Sequence, residues 1–253
     1  VYKIDLKFTA NYLKILRNFS KFVIEKHAEL PQSNNNQLYS FFSDLHTKLG
    51  RVTRKKRPLV EDISIKPNII FQYKNPKGGK RKFHISLGGV IKLQQGIITE
   101  QCLVLNLMLE HTEGCDAIPD GWDNYPIENG YHILRRFHFD FDTNNDDISK
   151  PKFHLQYGGN FESEYLEVDE EVHYKLFSPI DHPRLPQQPY DIVMLFDFIL
   201  REFELGGKGV INDSGWNKHV IECEKIWLIP YYKALLDRLQ STSRTTPIHR
   251  LNQ

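Results

Sequence analysis

Apolar residues recur at helical spacing near the start of the chain and alternate further on. Tyr12, Ile15, Leu16, Phe19, Phe22 and Val23 line one helical face, which Thr9 can cap and which ends before Pro31. Leu38, Phe41, Phe42, Leu45 and Leu49 line a second, with Ser33 or Asn34 as cap and Gly50 as stop. The two predict a helical hairpin as an N-terminal appendage over about residues 1–58. From Ile63 the pattern turns to strands. Asn68 to Tyr73 and Arg81 to Leu87 read as a hairpin around the turn Asn75 to Gly79, Gln101 to Leu109 as a further strand, and Tyr131 to Asp142 with Lys152 to Tyr157 as a second hairpin.

The last third returns to helix. Asp191 to Leu205 is apolar nearly all round and closes at Gly206-Gly207, the pattern of a helix inside the core. Asp213 or Ser214 caps a long C-terminal helix over about 214–240, which Pro230 should kink or break by removing a backbone donor. No composition break resembles a linker. The predicted architecture is therefore one α+β domain over 1–253, an antiparallel or mixed β-sheet with an N-terminal helical hairpin and C-terminal helices packed on it. A split near residue 60 is the alternative.

Strand alternation also predicts where chemistry gathers. Successive strand side chains point to opposite faces, so Phe137, Phe139 and Phe141 share a buried face with Phe153, Leu155 and Tyr157. Arg136, His138, Asp140 and Asp142 then share the other face with Lys152, His154 and Gln156. If the turn sets Asp142 against Lys152, Asp140 lies opposite His154 and His138 opposite Gln156. Two imidazoles near a carboxylate can serve as general base and acid, with an arginine stabilising a pentavalent phosphate. The same groups can instead hold a divalent metal. The structural alternative is a solvated sheet face, on which such cross-strand pairs contribute a few tenths to about 1 kcal/mol each.

One internal similarity joins the two hairpins. Lys82-Phe83-His84 and Lys152-Phe153-His154 open segments that both end in paired glycines, Gly88-Gly89 and Gly158-Gly159. A duplicated hairpin would place His84 and His154 in equivalent positions.

Charge sharpens the picture, because a net charge of +1 conceals segregation. Residues 51–92 hold twelve Lys and Arg against two acidic residues, and residues 100–171 hold seventeen Asp and Glu against four basic ones. Arg54, Lys55, Lys56 and Arg57, together with Lys80, Arg81 and Lys82 at the first hairpin, form a candidate surface for nucleic-acid phosphates, with Phe71, Tyr73 and Phe83 available to stack on bases. Either charged region could also meet a protein partner.

Other classes lose support. The sequence contains no Walker loop, GxGxxG, HExxH or GxSxG pattern. Three cysteines without CxxC spacing argue against a disulfide framework or zinc ribbon and for a reducing, cytoplasmic setting. No apolar run is long enough for a membrane span, and no secretory leader is legible. His219 with Glu222, and Asp181-His182, are weaker pairs of structural type. These observations point first to an enzyme acting on nucleic acid, a nuclease or toxin-like ribonuclease. A non-catalytic adaptor binding nucleic acid or protein, and a hydrolase of nucleotides or small phosphate esters, are the alternatives.

Overall fold

The computed structural model describes residues 4–31, 36–54, 61–64, 69–73, 82–110, 127–128, 130–142, 152–158 and 185–241. It has the expected α+β class: two N-terminal helices, one sheet, then C-terminal helices. The helices are α1 (Leu6–Lys26), α2 (Gln37–Arg54), α3 (Ile192–Glu202), the short α4 (Lys208–Ile211) and α5 (Ser214–Gln240). The strands are β1 (Glu61–Ser64), β2 (Ile69–Tyr73), β3 (Phe83–Gln94), β4 (Ile97–Glu110), β5 (Ile127–Glu128), β6 (Tyr131–Asp142), β7 (Phe153–Tyr157) and β8 (Leu185–Pro186). Among the described residues no helix is long and apolar enough to cross a membrane.

All described strand pairs are antiparallel, in the order β1-β3-β4-β6-β7-β8, with β2 also on β3 and β5 also on β6. One face of this sheet carries Phe71, Ile85, Leu87, Ile91, Leu103, Leu105, Phe141 and Phe153, all buried in a single core with Tyr12, Leu16, Phe19 and Val23 of α1 and with α3 and α5. Two aromatic groups organise that core. Phe196 meets Phe19, Phe42, Phe71 and Trp216, while Trp227 meets Phe8, Tyr12, Phe141 and Phe153. Full burial of each such side chain is worth about 1.5–3 kcal/mol, so the core face fixes the sheet's register.

The structure corrects several boundaries. Asp5, not Thr9, caps α1, its carboxylate accepting from the Phe8 N–H at 2.8 Å. Thr9 is buried, and its hydroxyl accepts from the Ile98 N–H at 3.1 Å, which ties the helix to β4. Helix α2 runs past Gly50 to Arg54, since Leu49 and Gly50 are still packed and Gly50 needs no left-handed turn. The caps expected at Ser33 or Asn34 lie outside the described residues. Strands β3 and β4 are longer than alternation suggested and join through Gln95-Gly96, whose φ values of 52° and 77° suit a two-residue hairpin turn. Asp191 and Asp213 cap α3 and α5. Helix α5 continues through Pro230 without a break, held by buried Trp227 before the proline and packed Tyr231 after it.

Candidate functional site

The opposite sheet face is polar, and its side chains stand in cross-strand rows. Lys92, Glu100 and Asp142 form one; Val90, Cys102, Asp140, His154 and Pro186 the next; then Gly88, Val104, His138 and Gln156; then Ser86, Asn106 and Arg136. The sequence-derived register of the second hairpin is the observed one: Asp140 opposes His154 and His138 opposes Gln156. Asp142 and Lys152 are joined by a backbone hydrogen bond of 3.2 Å at the hairpin's end.

This face is not the solvated surface that ordinary cross-strand pairing would give. His154 is fully buried, and Arg136 and Gln156 are only 6% and 7% exposed. His154 Nε2 lies 3.5 Å from Asp140 Oδ2, and the Asp140 side chain retains 18% exposure. Cys102 Sγ lies 3.5 Å from His138 Nδ1. One ligand atom each from Cys102, His138 and Asp140 lies within 4.8 Å of the others. Two buried atoms of this cluster, His138 Nε2 and Asp140 Oδ1, have no hydrogen-bond partner among the described residues. A buried donor or acceptor without a partner is costly, so both atoms are able to take one.

Electrostatics follow from burial and proximity. Burial lowers the His138 pKa, and Arg136 and His154 add to this while Asp140 opposes it. Burial pushes the Asp140 carboxyl up, but His154, His138 and the Cys102 thiol outweigh it and hold the carboxyl below its ordinary value. Burial raises the Cys102 thiol well above its usual range, reinforced by Asp140 and Glu100. Lys92 opposes this only in part, so the thiol is a poor nucleophile. Asp140 is thus the anionic member of the cluster, and His138 a neutral imidazole at pH 7.

A second set of side chains fixes Arg136. Its Nε donates to Asn106 Oδ1 at 2.8 Å, and Asn106 Nδ2 donates to the Ser86 hydroxyl at 3.0 Å. Arginine is thereby held as a positively charged fork on the same face as the cluster. Gly89 sets the neighbouring strand spacing. Its φ is +134°, and a Cβ there would lie 2.0 Å from the Cys102 carbonyl oxygen, so β3 approaches β4 closely only because this residue is glycine.

The structure therefore brings together His138, Asp140 and His154, with Gln156 in the row of His138 and with Arg136 and Asp142 in the rows on either side. Sequence reasoning missed Cys102, Asn106 and Ser86. The available signal was alternation in β4, where Glu100, Cys102, Val104, Asn106 and Met108 face away from the core residues Leu103 and Leu105.

The basic candidates are described only in part. Lys55, Lys56, Arg57, Lys80 and Arg81 lie outside the described residues, and of Arg54 only its place at the end of α2 is described. Lys82 is exposed and sits 3.4 Å from Glu110, at the far end of β3 from Lys92. Of the stacking candidates, Phe71 and Phe83 are buried and Tyr73 packs edge-on against Phe203. His219 lies 3.7 Å from Glu222 and packs edge-on against Phe19 and Phe22, a structural setting. Asp181-His182 lies outside the described residues.

No known protein family matches the chain, and no curated protein or solved structure resembles it.

Proposed function

We propose that the protein hydrolyses phosphodiester bonds of nucleic acid at the polar face of β4, β6 and β7. The observation that carries this reading is the row Cys102, Asp140 and His154 with His138 beside it, His154 buried and the others half-buried, yet holding two polar atoms without partners. His138 and Asp140 activate the attacking water, and His154 holds the Asp140 carboxylate in place. Arg136, positioned by Asn106, stabilises charge on the phosphate as it becomes pentavalent. The basic residues Arg54 to Arg57 and Lys80 to Lys82 hold the polymer's backbone. In this reading the chain is a nuclease of the ribonuclease or toxin type.

Burial of Arg136, His154 and Gln156 favours a second reading, hydrolysis of a nucleotide or small phosphate ester that enters the site whole. One experiment separates the two. Purified protein is incubated with RNA, single-stranded DNA, duplex DNA and free nucleotides, with and without divalent metal, beside His138→Ala. Polymer cleavage that falls by about 100-fold or more in the variant is the expected result. Turnover of free nucleotides alone selects the second reading. Binding of polymer without turnover of anything would overturn both and leave a non-catalytic adaptor.

A further inference from the structure

We propose that Cys102, His138 and Asp140 bind one divalent transition-metal ion of the zinc class. The proposal rests on the same cluster as the hydrolysis above, but on neither its substrate nor its turnover.

Geometry comes first. A tetrahedral ion with bonds of about 2.0–2.3 Å spaces its ligand atoms about 3.3–3.8 Å apart. Cys102 Sγ and His138 Nδ1 already stand at 3.5 Å. The full set, including an Asp140 oxygen, lies within 4.8 Å, so a side-chain adjustment of about 1 Å closes it around an ion. The three donors come from two adjacent strands of one sheet, Cys102 directly opposite Asp140 and His138 two residues along from Asp140, so the backbone that carries them is rigid. Gly89 holds the strand beside Cys102 at its close spacing.

Donor chemistry selects the metal. Mg²⁺ and Ca²⁺ take oxygen ligands in sets of six or more, whereas this set offers one sulfur, one nitrogen and one carboxylate. Sulfur and imidazole donors suit zinc and its neighbours. Binding would release the Cys102 proton, and the resulting thiolate with the Asp140 carboxylate balances the ion's two charges. His154, 3.5 Å from the other side of Asp140, stands where an outer partner orients a ligating carboxylate. Three protein ligands leave one position of a four-coordinate ion for water, which is the pattern of catalytic rather than structural zinc. Ligation through Asp140 Oδ1 would give that lone oxygen its partner and leave Oδ2 to His154.

The test is cobalt substitution. Protein stripped with chelator is titrated with Co²⁺, and its absorption is followed in the visible and in the near-ultraviolet region of thiolate-to-cobalt charge transfer. The expected result is one Co²⁺ per chain, with a thiolate band that Zn²⁺ removes by displacement. Cys102→Ser abolishes the band, and Asp140→Asn weakens binding by more than the ~10–100-fold expected for an outer partner such as His154. The chain has three cysteines, so a Cys115→Ser, Cys223→Ala variant, with Cys102 as its sole thiol, must keep the band. That variant decides the assignment even if Cys102→Ser does not fold. Absence of a thiolate band in the wild type at saturating Co²⁺, or its loss from the sole-thiol variant while that variant is folded, overturns the proposal. Chelator-resistant cleavage without metal binding would remove the metal and leave the hydrolysis standing; metal binding without cleavage would do the reverse.

Discussion

The hairpins β2–β3 and β6–β7 are built alike and end differently. Each second strand opens with Phe-His, Phe83-His84 and Phe153-His154, and each histidine points to the polar face while its phenylalanine enters the core. The registers correspond: Phe83 opposes Tyr73 and Phe153 opposes Phe141, Ile85 opposes Phe71 and Leu155 opposes Phe139. What differs is the company each histidine keeps. His84 stands between Gln72 and Met108, with its Nε2 3.6 Å from Glu110 and its ring on Tyr131. His154 faces Asp140, and Asp140 in turn faces Cys102. The position two residues before Asp140 is His138; the matching position before Gln72 is Ile70.

Place in the sheet explains this contrast. Strand β6 is flanked on its other side by β4, so a polar residue on it gains neighbours from both β4 and β7, whereas among the described residues β2 pairs only with β3. A shared motif therefore yields a cluster only where the sheet supplies further polar side chains beside it. The paired glycines diverge in the same way. Gly88-Gly89 sits within β3, which continues to Gln94, while Gly158, at φ +88°, ends β7.

The contrast extends to the core face, where the largest effects are expected. Phe141 is buried, stacked on Phe153 at 4.7 Å and set against Trp227, while its counterpart Tyr73 is only half-buried. Phe141→Ala should cost about 3–5 kcal/mol in urea unfolding. Tyr73→Ala should cost about 1–2 kcal/mol. Equal losses would mean that the two hairpins are anchored alike.

A buried titratable group beneath the second hairpin gives the next effect. Trp227, which packs on Phe141 and Phe153, also touches Tyr12, and Tyr12 neighbours Asp191. Phe71 under the first hairpin instead meets Phe196. Burial pushes the Asp191 carboxyl up to about 6, against its cap bond to Met194 N–H and its contacts with Cys223 and Tyr12. Because the folded value is raised, the group's contribution is full below its unfolded value, near 4, and is lost as pH rises through about 6. A carboxyl raised from near 4 to about 6 corresponds to about 3 kcal/mol. His138, His84 and His219, whose values burial lowers, oppose this slope in part of the same window, so the quantity to follow is a difference. Asn retains the cap but cannot titrate. The stability of wild type relative to Asp191→Asn should fall between pH 4 and pH 6, and a flat difference would show that Asp191 stays ionised throughout.

Much of this was legible in the sequence, for physical reasons. Period-two alternation of Phe137, Phe139 and Phe141 against His138 and Asp140 fixed the two faces, and setting Asp142 against Lys152 gave which residues oppose. Helical spacing located α1 and α2, a continuous apolar run located α3, and Asp191 and Asp213 marked the starts of α3 and α5. Cys102 was legible only in part: alternation in β4 puts it on the polar face, but a cysteine in an apolar strand reads as a small hydrophobe and nothing local announces that β4 pairs with β6. That pairing spans a long connection and is set by the core as a whole. Asp5 and Thr9 both suit a cap, and only tertiary contact shows that Thr9 is committed to Ile98. Pro230 was read from local geometry, whereas packing on both sides carries α5 through it.

The most direct test of the account is the turnover of two near-isosteric variants, Asp140→Asn in the second hairpin and His84→Asn in the first, assayed on the substrate that the wild type cleaves, with thermal melts confirming that both are folded. Asp140→Asn should lose about 100-fold or more, and His84→Asn should stay within about 2-fold of wild type. Wild-type turnover in folded Asp140→Asn, or an equal loss in both variants, would contradict the placement of the chemistry on the second hairpin.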